Sequence, residues 1–170
     1  MKFLFCFILV LLFNSNCFSQ EGRPATDLLQ EAFVKAKKEK KNILVILTAS
    51  WCTPCKEFKR GLYDVYNATF FSDNYVIQEL HTSEIESKKS LNNPGADSVF
   101  KKYRGDIREI PYWIILSPEG KLLHKELGFS SHAEDLKIFI GNIKRTSHLK
   151  EWELQMIYER LRVLSHSVLD

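Results

Sequence analysis

The chain has 170 residues, 45% of them hydrophobic, and a formal net charge of +3 at pH 7. That length suits one domain with a sizeable core, and so mild a charge gives no ground for a nucleic-acid-binding surface. Four cysteines, two of them at positions 6 and 17, are too few for a disulfide-stapled miniature.

The first residues read as an export signal. Lys2 gives a positive start, residues 3–13 are an almost unbroken apolar run, and residues 14–19 turn polar and small. That order marks a secretory signal peptide over residues 1–19. The apolar run is well short of the roughly 20 residues that cross a bilayer; a retained anchor helix is the alternative. Cleavage after Ser19 puts Cys17 and Ser19 where a peptidase reads and starts the mature chain at Gln20, with Cys52 and Cys55 as its cysteines. Asn14, Ser15 and Asn16 match poorly what precedes a lipidated cysteine. No stable membrane anchor is expected after signal removal.

Thr26 and Asp27 can cap a helix running to about Lys41, with Leu28, Leu29, Ala32, Phe33 and Ala36 on one face and lysines near its end, where they suit the dipole. Asn42 breaks it. Residues 43–47, ILVIL, are the continuous, mostly β-branched run of a strand buried on both faces. Residues 50–58, SWCTPCKEF, follow and open a helix to about Tyr66, with Pro54 in the first turn, where proline is tolerated. Residues 75–80 are a second strand. Residues 82–95, rich in Ser, Lys and Asn, read as a surface excursion with a helical turn, and residues 96–103 as a short helix stopped near Gly105. Residues 112–116 and 121–127 form a hairpin, joined by Ser117-Pro118-Glu119-Gly120 with proline and glycine where a type I turn favours them. Ser131 can open a helix with Leu136, Phe139, Ile140 and Ile143 inward. Helices between strands imply parallel pairing and the hairpin adds an antiparallel edge, so the fold class is α/β with a mixed sheet.

Three chemistries suit a CxxC. Structural zinc takes four ligands, and His81, His124, His132, His148 and His166 show no ligand spacing to the one cysteine pair, so no metal is expected. A structural disulfide across so few residues restricts the unfolded chain only modestly. The redox reading has a mechanism. Strand, CxxC, then helix sets the first sulfur at a helix N-terminus, whose unpaired N–H groups and dipole favour thiolate. Lys56 adds positive charge nearby, and the second sulfur, one turn in, is more buried and close enough to resolve a mixed disulfide.

SWCTPCKEF after an apolar strand, EIPYWIILSPEG downstream and Gly128 together resemble the thioredoxin family over about residues 26–145. KEF after the second cysteine, and NATFFSDNYVIQEL, are most similar to exported bacterial thioredoxin-like domains and the thiol-reducing domain of disulfide interchange proteins. The resemblance implies a thioredoxin-like fold, a central mixed sheet flanked by helices, here with an extra C-terminal helix. It implies that Cys52 attacks, Cys55 resolves, and Ile110–Pro111 is a cis bond facing the cysteines. The Ile110 backbone would pair with an extended substrate as an added strand, Pro111 would offer no N–H to the nucleophile, and Trp51 would form a flat apolar shoulder, ordinary core packing being the alternative. One departure stands out. Thioredoxins commonly carry a buried Asp six residues before the first cysteine; here that residue is Ile46, so either water or a carboxylate such as Glu57 assists proton transfer or the resolving step is slower, a solvated helix residue being the alternative for Glu57.

In residues 146–170, Leu149, Trp152, Met156, Ile157, Leu161, Leu164 and Val168 make an apolar stripe at helical spacing. It fits a helix packed on its own domain or, alternatively, a homo-oligomer contact. Asn67-Ala68-Thr69 matches the N-glycosylation pattern. The expected domains are thus a signal at 1–19, a thioredoxin-like domain at 20–145 and a helical extension at 146–170. The expected function is a periplasmic or secreted thiol:disulfide oxidoreductase, without cofactor, acting on protein disulfides or dithiols with an unidentified electron donor. Thr53-Pro54 and Ile110 resemble reductant-type members, which favours reduction over oxidase or isomerase activity. The rival of another class is a non-catalytic binding module with a redox-switched disulfide.

Overall fold

The computed structural model describes residues 22–105, 108–128 and 132–166. The expected signal peptide and cleavage site, the helix start at Ser131 and Val168 of the stripe lie outside them. The elements are α1 (Ala25–Glu39), β1 (Asn42–Thr48), α2 (Thr53–Tyr63), α3 (Ala68–Asn74), β2 (Tyr75–His81), a 3-10 segment (Glu86–Leu91), α4 (Ala96–Arg104), β3 (Tyr112–Leu116), β4 (Leu122–Leu127), α5 (Ala133–Thr146) and α6 (Glu151–His166). Pro24 precedes α1 as its N-cap, so Thr26 and Asp27 lie inside the first turn, and Lys40, left-handed at φ 55°, ends the helix before Asn42.

The apolar run at 43–47 is central because side chains alternate across a strand. Ile43, Val45 and Leu47 face α1 and α4, joined by Ile114 and Leu116 of β3. Leu44 and Ile46 face the other way, with Trp113 and Ile115, against α2, α3, α5 and α6. Each fully buried aliphatic side chain contributes roughly 1.5–3 kcal/mol, so a strand with two such faces is held firmly between its layers.

Among the described residues the sheet order is β2-β1-β3-β4. β2 lies parallel to β1, in register from Asn42↔Tyr75 to Thr48↔His81. β3 is antiparallel to β1, Leu47 opposite Tyr112, and β4 is antiparallel to β3. This corrects part of the expected topology, since α4 separates β2 from β3 without making β3 parallel. The antiparallel run follows from where β3 begins. Tyr112 lies opposite Leu47 at the end of β1, and β3 runs back along β1 to set Leu116 opposite Ile43.

Two local expectations are also corrected. The helix after the cysteines stops at Tyr63 rather than Tyr66, because the Asp64 side chain accepts the Tyr66 amide and its carbonyl accepts those of Asn67 and Ala68. The chain then forms α3, a helix not anticipated from the sequence. Asn67 is buried, its Nδ2 donating to the Gly61 carbonyl at 2.9 Å, so folding encloses the side chain of the glycosylation pattern. In α6 the buried residues are Leu154, Ile157 and Leu161, while Trp152 and Met156 are 55% and 48% exposed. The inward face is therefore rotated from the expected stripe, toward residues that meet α2 and α5. Gly61 marks how closely α6 approaches α2: a Cβ there would lie 2.6 Å from Leu161 Cδ2.

Candidate active site

β1 delivers Ala49, and the chain turns through Ser50 and Trp51 into α2. Cys52 is the N-cap residue of that helix, extended at φ −75° and ψ 105°, and Pro54 occupies the first turn. The Cys55 amide donates to Cys52 Sγ at 3.2 Å, so an otherwise unsatisfied N–H of the first turn points at this sulfur. Cys52 and Cys55 are joined as a disulfide, S–S 2.05 Å, with Cα atoms 5.2 Å apart. Both residues are buried, at 2% and 0% exposure. Their asymmetry therefore lies in the amide bond to Cys52 rather than in solvent access.

The other wall comes from the segment before β3. The Ile110–Pro111 bond is cis, Ile110 packs against Ala49, Cys52 and Cys55, and its carbonyl oxygen lies 3.7 Å from Cys52 Sγ. In the disulfide that sulfur carries no proton, so this is a close approach, not a hydrogen bond. Pro111 is buried and its carbonyl accepts the Gly128 amide at 2.7 Å. Gly128 holds φ 78°, a left-handed backbone that glycine adopts freely, and its carbonyl accepts Trp113 Nε1–H at 3.0 Å. Cys52, Cys55 and Ile110 thus converge, with Pro111 next to Ile110 across the cis bond. Trp51 is half-exposed, with its indole donating to the Ser83 carbonyl at 2.8 Å, and so is not part of the core.

Residues 29–143 match the family model described as a thioredoxin-like domain. The chain belongs to the thioredoxin-like family. Among solved structures, this thioredoxin-like chain is similar to a disulphide isomerase from Xylella fastidiosa, 14% identical over 86% of this chain and 92% of that one, with a TM-score of 0.50. It is also similar to the oxidised C-terminal domain of DsbD from Neisseria meningitidis, 18% identical over 71% and 97% of the two chains, TM-score 0.49. The likeness to the Xylella protein is one of fold. No curated protein matches the chain.

Ile46, at the position where thioredoxins commonly carry an acid, is fully buried in the core beside Trp113. The acid bonded to the turn into Cys52 is Glu84, whose side chain has no exposed surface. Burial alone would raise its carboxyl, but the Ser50 hydroxyl and amide and the His81 imidazole outweigh that and hold it below the ordinary carboxylate range. Glu84 was legible only through strand register. Because β1 and β2 are parallel and in step to Thr48↔His81, the residues just after each strand must adjoin.

Proposed function

We propose that this protein is an exported thiol:disulfide oxidoreductase that reduces disulfides in other proteins. The observation that carries the reading is the cysteine pair spanning the first turn of α2, with the Cys55 amide on Cys52 Sγ and the Ile110 carbonyl beside it. In the reduced form, that amide and the helix dipole favour the thiolate at Cys52. The thiolate attacks one sulfur of a substrate disulfide; a Cys52–substrate disulfide forms, and the other substrate sulfur leaves as a thiolate. Cys55, losing its proton, then attacks Cys52 Sγ, the mixed bond breaks, and the first substrate sulfur is released. Two electrons pass to the substrate, whose thiolates take up two protons, and the protein is left as the Cys52–Cys55 disulfide. A dithiol electron donor returns it to the reduced state. The Ile110 backbone serves as the docking edge for an extended substrate, and Trp51 as the apolar rim.

Export rests on the signal-like pattern of residues 1–19, with a periplasmic or extracellular destination; intact-mass measurement finding Gln20 at the mature N-terminus checks it. The catalytic unit is residues 20–145, with 146–170 as its helical extension. Catalytic reduction of an insulin-like disulfide tests the activity. The potential of the Cys52–Cys55 couple fixes the direction: a strongly reducing value supports a reductant and an oxidising one an oxidase or isomerase. Absence of exchange, with partner binding that follows the oxidation state, would replace the enzyme by a binding module.

A further inference from the structure

The turn that leads into Cys52 is held by one short segment after β2, residues 82–84. The Ser50 amide donates to Glu84 Oε1 at 2.6 Å and the Ser50 hydroxyl to Oε2 at 2.7 Å. The neighbouring Trp51 indole is held by the Ser83 carbonyl. One carboxylate therefore binds Ser50 through both backbone and side chain, in a place shielded from water, where bonds to an ionised acceptor are strong.

The segment is itself anchored. The Thr82 amide donates to the Thr48 carbonyl at 3.0 Å, and Thr82 Oγ1 donates to Asp97 Oδ2 of α4 at 2.9 Å. The Glu84 amide donates to Asn92 Oδ1 at 3.1 Å, and the His81 amide to Asn93 Oδ1 at 2.7 Å. Residues 85–90 are the exposed excursion that was expected, while Thr82, Glu84, Asn92 and Asn93 at its two ends fold back as the support of the cysteine turn. His81 Nδ1, 3.3 Å from Glu84 Oε1, faces the carboxylate from the strand side.

We propose that Glu84 is a positioning residue for exchange at Cys52: its grip on Ser50 fixes the turn that presents the Cys52 sulfur beside the Ile110 carbonyl, so that a disulfide docked on that backbone meets the sulfur in line. This rests on the exchange activity proposed above and adds to it. Thiol–disulfide exchange needs the attacking sulfur aligned with the bond it breaks, and a displacement of about 1 Å at a reacting atom can cost on the order of a hundredfold in rate. A small alkylating reagent is not docked on Ile110 and has no such requirement. A positioning role therefore has a signature of its own, a loss confined to docked substrates.

The experiment uses the reduced full chain and its Glu84→Ala, Glu84→Gln and Ser50→Ala variants. Two rates are measured for each, kcat/KM for an extended peptide disulfide and the alkylation of Cys52 by iodoacetamide; the 15N–1H resonance of the Trp51 indole is followed alongside. Glu84→Ala is expected to slow peptide exchange by roughly ten- to a hundredfold while alkylation stays within about twofold, and to move the indole resonance although Glu84 does not bond Trp51. Glu84→Gln, which keeps an oxygen for the Ser50 amide, is expected to recover most of the loss. Peptide exchange unchanged in Glu84→Ala, or exchange and alkylation falling together, overturns the proposal. If Glu84→Ala does not fold, Ser50→Ala decides: a selective loss of peptide exchange supports the clamp and an unchanged rate removes it. An inert wild type would instead defeat the exchange reading itself, whereas an active wild type with unaffected variants removes the clamp alone.

Discussion

The turn into Cys52 and the last helix belong to one domain but are fixed by different forces. Residues 50–55 are tied by directed polar bonds, from Ser50 to Glu84, Trp51 to Ser83 and the Cys55 amide to Cys52 Sγ. α6 is held chiefly by apolar area, with Leu154, Ile157 and Leu161 sunk into the core shared with α2 and α5. Directed bonds set a position to fractions of an ångström, which suits a reacting sulfur. Apolar burial supplies more free energy per side chain but tolerates rotation about the helix axis. The molecule uses accuracy where bonds break and bulk where the chain only has to stay.

The sharpest break in that comparison comes from the cysteines. Cys52→Ser is expected to abolish exchange, and Cys55→Ser to accumulate mixed disulfides with substrates because the sulfur that resolves them is gone. Acid quenching, thiol blocking and non-reducing gels read the difference. Equal trapping by the two variants would defeat the assigned roles. Neither substitution should approach α6 variants in its effect on the thermal midpoint of the reduced protein.

Next in size are substitutions in the apolar contact of α6. Ile157 is fully buried, and Ile157→Ala should cost about 2–5 kcal/mol, with the peptide-exchange rate of the folded protein unchanged. Gly61→Ala pushes a methyl toward Leu161 Cδ2, 2.6 Å away, and is expected to cost about 1–3 kcal/mol by overpacking. Chemical denaturation measures both. A destabilisation well under 1 kcal/mol in Ile157→Ala would mean that α6 is loosely attached, and the contrast with the active-site turn would collapse.

A smaller effect belongs to the ion pair that ties α6 to the turn after α2. Arg160 donates from Nε and a terminal nitrogen to the two Asp64 oxygens at 2.8 and 2.7 Å. That guanidinium holds the Asp64 carboxyl below its ordinary range, against a smaller opposing effect of burial. A carboxylate with a depressed folded-state pKa stabilises the fold above its unfolded pKa, near 4, and the contribution fades as pH falls through the folded value. Asp64→Asn is therefore expected to lower the thermal midpoint at neutral pH, with the gap from wild type closing on acidification. A pH-independent gap would assign the residue's role to its turn bonds with Tyr66, Asn67 and Ala68 instead.

What could be read in advance follows the same division. The doubly buried strand at 43–47, the hairpin around Pro118 and Gly120 and the CxxC at a helix start are local patterns, and each stands where its residues indicated. The run of β3 was not legible, because it depends on which end of the sheet the chain reaches after α4, and no local pattern in the sequence sets that. Glu84 escaped notice because nothing in Thr-Ser-Glu signals a partner; only the register of β1 with β2 brings it to Ser50. α3 was missed because its few residues, ATFFSDN, show too little periodicity. In α6 apolarity revealed a helix but not its rotation, since apolar residues lie on more than one side and packing chooses among them.

That last point supports the smallest prediction. Met156 is 48% exposed on the outer side of α6, although its apolarity placed it in the expected stripe. The helix already buries Leu154, Ile157 and Leu161 within its own domain, so Met156 has little left to contribute to folding. Met156→Lys is expected to change stability by no more than about 0.5 kcal/mol, the usual range for a surface site, and to leave the sedimentation coefficient unaltered. Trp152 is a stricter neighbour, because its ring meets Phe70 edge-on at 6.2 Å, and Trp152→Ala should cost more than Met156→Lys for that reason. If Met156→Lys instead dissociated an oligomer, the outer face of α6 would be a contact between copies, and apolar area would be holding two chains together as well as one helix in place.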